Sequence, residues 1–181
     1  MSDAALLVID VQRGAFDGVR CPPIARGAEL IARVQSVLAT ARAAQLPVVF
    51  VQHSEPGGVF AEGTPQFALH EALEPAPSDL WIVKRQSSSF EGTSLADVLK
   101  RAAVREVVLC GLQSEFCVFN TAAGALERGF RTTVLGDAHG TWPTSQDSAE
   151  VIAERINGEL RGRGAAVCES SDLVAWLSRT R

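Results

Sequence analysis

Ala4-Ala5-Leu6-Leu7-Val8-Ile9-Asp10 is the stretch on which the fold turns. An apolar run of strand length, unbroken until it meets a charge, marks a strand covered on both faces, because a half-exposed strand would alternate. Runs of the same kind follow at Pro47-Val48-Val49-Phe50-Val51, Leu80-Trp81-Ile82-Val83 and Glu106-Val107-Val108-Leu109-Cys110. Arg131-Thr132-Thr133-Val134-Leu135 and the weaker Ala165-Ala166-Val167 complete the set. Between several of these the apolar period changes to that of a helix. Leu30, Ile31, Val34, Val37, Leu38 and Ala41 fall on one face, as do Leu95, Val98, Leu99 and Ala102, opened by Thr93 or Ser94 as a cap. Ile152, Ile156 and Leu160 mark another helix, and Ser170 or Ser171 is placed to cap a last one through Trp176 and Leu177. Strands alternating with helices predict right-handed βαβ units. The expected fold is α/β, a three-layer αβα Rossmann-like domain with a mostly parallel sheet.

Composition narrows what such a domain can be. The 181 residues suit one domain over 1–181, and there is no repeat or composition break. A formal charge of −4 with acids and bases interspersed gives no nucleic-acid footprint. The opening apolar run is too short for a membrane span or a signal peptide. Cys21, Cys110, Cys117 and Cys168 have neither CxxC spacing nor a dense framework, so they read as reduced thiols of a cytoplasmic protein. The long irregular stretch from Ser54 to Ser78, rich in Gly and Pro, has the length of a functional loop.

In open α/β sheets, ligands bind beyond the carboxyl ends of the strands. The residues there are Asp10 and Gln12, Gln52 and His53, Lys84, the segment Gly111 to Cys117, and Asp137 to Trp142. Cys117 reads as the opening residue of a helix that runs to Arg128 and stops at Gly129. A thiol in that position meets the positive end of the helix dipole, which favours thiolate. Free N–H groups nearby could receive an oxyanion. A buried core thiol is the plainer reading, and Cys110, inside a strand, fits it; Cys21 and Cys168 have no chemical neighbours in sequence. Asp10 and Lys84 each end a buried strand, where an unpaired charge is costly, so each needs a partner. They are either a structural ion pair at the sheet rim or, with Cys117, a base, an electrostatic partner and a nucleophile.

Three segments in order then make the sequence recognisable: Leu7-Val8-Ile9-Asp10-Val11-Gln12 with Phe16, then Val83-Lys84 with Ser88-Ser89-Phe90 and Gly92-Thr93, then Val108 through Val118 with Thr121-Ala122 and Gly129. The chain resembles the isochorismatase-like cysteine hydrolases over nearly its whole length. The resemblance implies a six-stranded sheet, a triad of Asp10, Lys84 and Cys117, and a non-proline cis peptide at Leu112-Gln113. With that peptide, the N–H groups of Gln113 and Cys117 would form the oxyanion hole. It also implies a small-molecule substrate and a homo-oligomer, dimer or tetramer, in which the Ser54–Ser78 loop covers a neighbour's site as well as its own. Where the family often has an acidic residue after the cysteine, this chain has Gly124, a departure expected to matter for packing. The nicotinamidase branch holds a divalent ion with Asp-x-His after the second strand and further histidines. Here that register reads His53-Ser54-Glu55 with His70 downstream, a spacing that does not match, so no metal or other cofactor is expected.

Substrate contacts are expected from Gln12, Gln52, His53, Ser88 and Glu115 as polar groups and from Phe16, Phe90, Phe116 and Trp142 as walls. His139 could equally be a turn residue bonded to backbone. The expected activity is hydrolysis of an amide or carbamoyl C–N bond through a thioester. A vinyl-ether hydrolysis led by Asp10 is the alternative within the resemblance, and a non-catalytic interaction module the alternative outside catalysis. A nucleotide-binding domain is disfavoured because no G-x-G-x-x-G follows the first strand.

Overall fold

The computed structural model describes residues 3–179. Its sheet has six strands, all paired in parallel, in the order β3-β2-β1-β4-β5-β6. These are β1 (Ala4–Ile9), β2 (Val48–His53), β3 (Leu80–Lys84), β4 (Glu106–Leu112), β5 (Arg131–Gly140) and β6 (Ala166–Cys168). β1 pairs with β2 on one side and β4 on the other, and helical layers over both faces bury its whole length. Its side chains alternate: Ala4, Leu6 and Val8 enter one core, Ala5, Leu7 and Ile9 the other. α1 (Gly27–Ala43) and α5 (Leu173–Arg179) cover the first face; α2 (Leu95–Arg101), α3 (Phe119–Glu127) and α4 (Ala149–Gly162) cover the second. Each large aliphatic side chain closed between these layers contributes about 1.5–3 kcal/mol.

The anticipated caps were partly relocated. Thr93, not Ser94, accepts from the Leu95 N–H, and Ser170 is occupied with Asp137, to which both its N–H and its hydroxyl donate. Ser148 caps α4 through the Val151 N–H. β3, expected to be buried on both faces, is an edge strand: Trp81 is 49% and Val83 42% exposed. An apolar run on an edge has the same composition as one in the middle, so the run alone could not say which.

β1 and β4 lie at the switch point where the chain, having built outward to β3, returns to build toward β6. There β4 approaches β1 closely. Gly111 has φ +119°, and a Cβ on it would collide with the carbonyl oxygen of Ile9. Gly111→Ala is therefore expected to cost about 3 kcal/mol or more, from overpacking and an unfavourable backbone conformation. A melting curve checks this; an unchanged midpoint would mean that β1 and β4 can part without penalty. The ladder between β4 and β5 shifts register between Leu109 and Gly111, and β5 continues past the shift to set His139 beside Gly111.

Candidate active site

Asp10 follows β1 with φ 53°, a left-handed conformation that Asp tolerates better than most residues. Lys84 ends β3, two strands away, and its side chain crosses the end of β2 to reach the others. Its Nζ lies 2.8 Å from Asp10 Oδ2, 3.1 Å from Cys117 Sγ, 3.2 Å from His53 Nδ1 and 3.3 Å from the Gln86 carbonyl oxygen. The Lys84 and Asp10 side chains are 0% and 4% exposed, so the pair persists on mutual satisfaction rather than on solvent. The other carboxylate oxygen, Asp10 Oδ1, is buried without a hydrogen-bond partner.

Cys117 does not open the helix. A single π-helical turn, Ser114–Val118, comes first, closed by the Val118 N–H donating to the Gln113 carbonyl, and α3 begins at Phe119. Turns of this kind occur often at functional sites, where they re-aim a side chain. The Leu112-Gln113 peptide before it is cis.

The expected lowering of the thiol pKa is not what this environment produces. Burial, then the charge of Asp10, outweigh Lys84 and push Cys117 up to about 11. Asp10 is itself raised by burial against the pull of Lys84, and His53 is lowered by burial and by Lys84. The resting site thus keeps its proton on sulfur beside a carboxyl that binds protons more readily than an ordinary aspartate.

A cavity of about 530 Å³ opens onto this group. Of the anticipated residues, Asp10, His53, Gln113, Cys117 and Trp142 line it. The others are placed elsewhere, each for a visible reason. Gln12, fully buried, donates to the His53 and Phe67 carbonyls and accepts from the His53 N–H; Gln52 donates to the Phe67 carbonyl. Both tie the strand ends to the 54–78 loop. Phe16 packs edge-on against His70, and Phe90 is core, stacked on Phe130 beneath Arg128. Ser88 and Gly124 line a separate cleft, where a Cβ at Gly124 would come within 2.9 Å of the Ser88 hydroxyl and make it turn aside. Glu115 accepts from the Thr141 hydroxyl, and Phe116 is 52% exposed outside the cavity.

The residues that sequence reasoning missed come mainly from loops. Cys21 and Pro22 form one wall, while Glu55, Val59 and Phe60 bring the 54–78 loop over the site of its own chain. No periodic signal marks such positions. Ser114 and Asn157 were also unforeseen. His139 is buried, not a turn residue bonded to backbone: Ser114 Oγ lies 2.8 Å from its Nδ1 and Asn157 Oδ1 2.9 Å from its Nε2. With Asn157 accepting from Nε2–H, Nδ1 accepts from Ser114, so the π turn is held through β5 to α4. Burial keeps His139 on the neutral side of its ordinary range.

The donor set does not suit a metal ion. His70 is turned away, accepting from the Ala72 N–H through Nδ1. Ligand atoms of Asp10, His53 and Cys117 do lie within 4.8 Å of one another. The Lys84 ammonium, however, sits at hydrogen-bond distance from all three, so a cation there would meet a like charge.

A carboxyl, an ammonium and a thiol thus converge at a cavity by the strand ends of a parallel sheet. An isochorismatase-domain model matches residues 4–171, and the chain belongs to the isochorismatase family. It is 38% identical over 151 residues to a streptothricin hydrolase of Streptomyces noursei, an alignment covering 82% of this chain and 54% of that protein. A second streptothricin hydrolase of the same organism is 37% identical, with 63% of its length covered, so the chain spans between half and two thirds of these relatives. The maleamate amidohydrolase of Pseudomonas putida is 32% identical over 156 residues, covering 75% of this chain and 73% of that one. Among solved structures, an isochorismatase family protein from Desulfovibrio vulgaris superposes with a TM-score of 0.86 at 26% identity, covering 99% of this chain and 100% of that one.

Proposed function

We propose that this chain, acting as one domain, hydrolyses a C–N bond of a small amide or carbamoyl compound through a thioester on Cys117. The observation that carries this reading is the bridge of Lys84 Nζ between Asp10 Oδ2 at 2.8 Å and Cys117 Sγ at 3.1 Å, on the floor of the cavity. As sulfur attacks the carbonyl carbon, its proton passes to Asp10, and the Lys84 ammonium steadies the negative charge shared between them. Backbone N–H groups of Gln113 and Cys117 hold the oxyanion. Asp10 returns the proton to the departing nitrogen, the C–N bond breaks, and a thioester remains. Water then gives a proton to Asp10 as it attacks the thioester; the C–S bond breaks, and the thiol recovers its proton from Asp10.

A streptothricin hydrolase and an amidohydrolase among the relatives favour C–N chemistry over a vinyl-ether reaction. A binding module would gain nothing from burying Asp10 and Lys84 together beneath a thiol. The test is ammonia or amine release from a panel of small amides, ureas and carbamoyl compounds. Release that fails throughout the panel would overturn the reading.

Cys21, Cys110 and Cys117 carry no disulfide among the described residues, which supports a reducing compartment such as the cytoplasm. A homo-oligomer is proposed as well, supported by the exposed Trp81 and Val83 on edge strand β3, which a second copy would cover. Light scattering should give a dimer or tetramer; a monomer at micromolar concentration would contradict it.

A further inference from the structure

Resting on the amidase reading, we propose that Glu55 makes the cavity selective for substrates carrying a positive group near the scissile amide, and selective against carboxylates. The argument is a charge balance of the lining. Asp10 has its counter-charge in Lys84. His53 is held toward its neutral form by burial and by Lys84, and both thiols in the lining, Cys21 and Cys117, are pushed up and keep their protons.

Glu55 is what remains. Its carboxylate is half-buried and has no ion-pair partner among the described residues. It is also fixed in place. Oε1 accepts from the Val59 N–H at 2.8 Å, while the Glu55 carbonyl accepts from the Gly58 N–H, so the turn that carries the charge also holds it still. Among the described residues no arginine lines the cavity: Arg20 donates to the Gly58 carbonyl from the exposed outer side of the turn. The indole N–H of Trp142, which could have met an anion, is already donated to the Pro22 carbonyl at 2.6 Å.

A carboxylate entering this space would give up water, find no charged donor beyond Lys84, which Asp10 already pairs, and face a fixed like charge. An ammonium or guanidinium group would find its counter-charge waiting between apolar walls that include Val59 and Phe60.

Two measurements test this, and the first needs no turnover. In a Cys21→Ser background, modification of Cys117 is timed by peptide mass with a cationic trimethylammonium-ethyl and an anionic sulfonatoethyl methanethiosulfonate. In each case sulfur forms a disulfide with the reagent and methanesulfinate leaves. Rates are normalised to free cysteine. The cationic reagent should react about tenfold faster or more, in line with field effects in a charged cleft. Glu55→Gln, which keeps the acceptor for Val59, should remove most of that ratio, and Glu55→Lys should invert it. A ratio of one or below, or a ratio that Glu55→Gln leaves unchanged, overturns the proposal.

The second measurement is kcat/KM for β-alaninamide, butyramide and succinamate, expected to fall in that order. Succinamate turned over as well as β-alaninamide would overturn the selectivity. If no amide is hydrolysed but the reagent ratio holds, it is the amidase reading that fails and the charge selectivity that stands.

Discussion

Cys117→Ala should lower amide turnover by about four orders of magnitude or more while the protein remains folded. In the proposed reaction the covalent intermediate forms on this thiol. Its removal leaves the rest intact: Lys84 keeps Asp10 and the Gln86 carbonyl as partners, and no charge loses its counter-charge. Because Cys117 is only partly buried, the small void left costs little, and the melting temperature should move by no more than a few degrees. Ammonia release and a melting curve on the same preparation check both parts. Turnover within tenfold of wild type would mean that Asp10 catalyses without the thiol, the vinyl-ether type of route.

Asp10→Asn should separate a reactive thiol from a working enzyme. The carboxylate is the largest influence after burial that holds Cys117 up at about 11, while Lys84, 3.1 Å from sulfur, pulls the other way. Asparagine removes the negative charge yet keeps an oxygen for Lys84 to donate to. The sign follows directly: without a neighbouring anion the thiolate is less disfavoured, so the pH midpoint for iodoacetamide labelling of Cys117 falls. Labelling at neutral pH therefore speeds up. Hydrolysis should nonetheless drop by about 100- to 10,000-fold, because no group remains to carry the proton to the leaving nitrogen. A midpoint that stays put or rises would show that Asp10 does not bear on the sulfur. In the wild type, the acid limb of kcat/KM should lie above 3.8, the ordinary aspartate value, since burial raises Asp10.

How much of this was legible in the sequence depended on what each residue's neighbours in the chain could reveal. The central strand β1 was readable because two-sided burial demands an unbroken apolar run, and Ala4–Ile9 is one. The general rule about strand ends in parallel sheets put Asp10, Lys84 and Cys117 among the candidates, and the resemblance to the isochorismatase-like hydrolases implied that they act together. Leu80-Trp81-Ile82-Val83 was misjudged as a fully buried strand because strand order lies outside local composition. Gln12 and Gln52 were placed among substrate contacts because polar residues at strand ends look alike. Only the return of the loop at Phe67 shows that their amides are already engaged. Cys21 and Glu55 had no signal, since their position depends on how two irregular segments close over the cavity. The direction of the Cys117 shift was misjudged for a different reason. A helix dipole can be foreseen from sequence, whereas the depth of burial beside Asp10 cannot.

The central claim is that Cys117 carries the acyl group between the two halves of the reaction. Intact-mass analysis of enzyme quenched in acid during turnover of a hydrolysed amide tests it most directly. The account predicts a transient added mass equal to the substrate acyl group, mapped to the peptide bearing Cys117, absent from Cys117→Ala, and released by hydroxylamine. Full turnover with no adduct at any quench time, or an adduct on another residue, would contradict it.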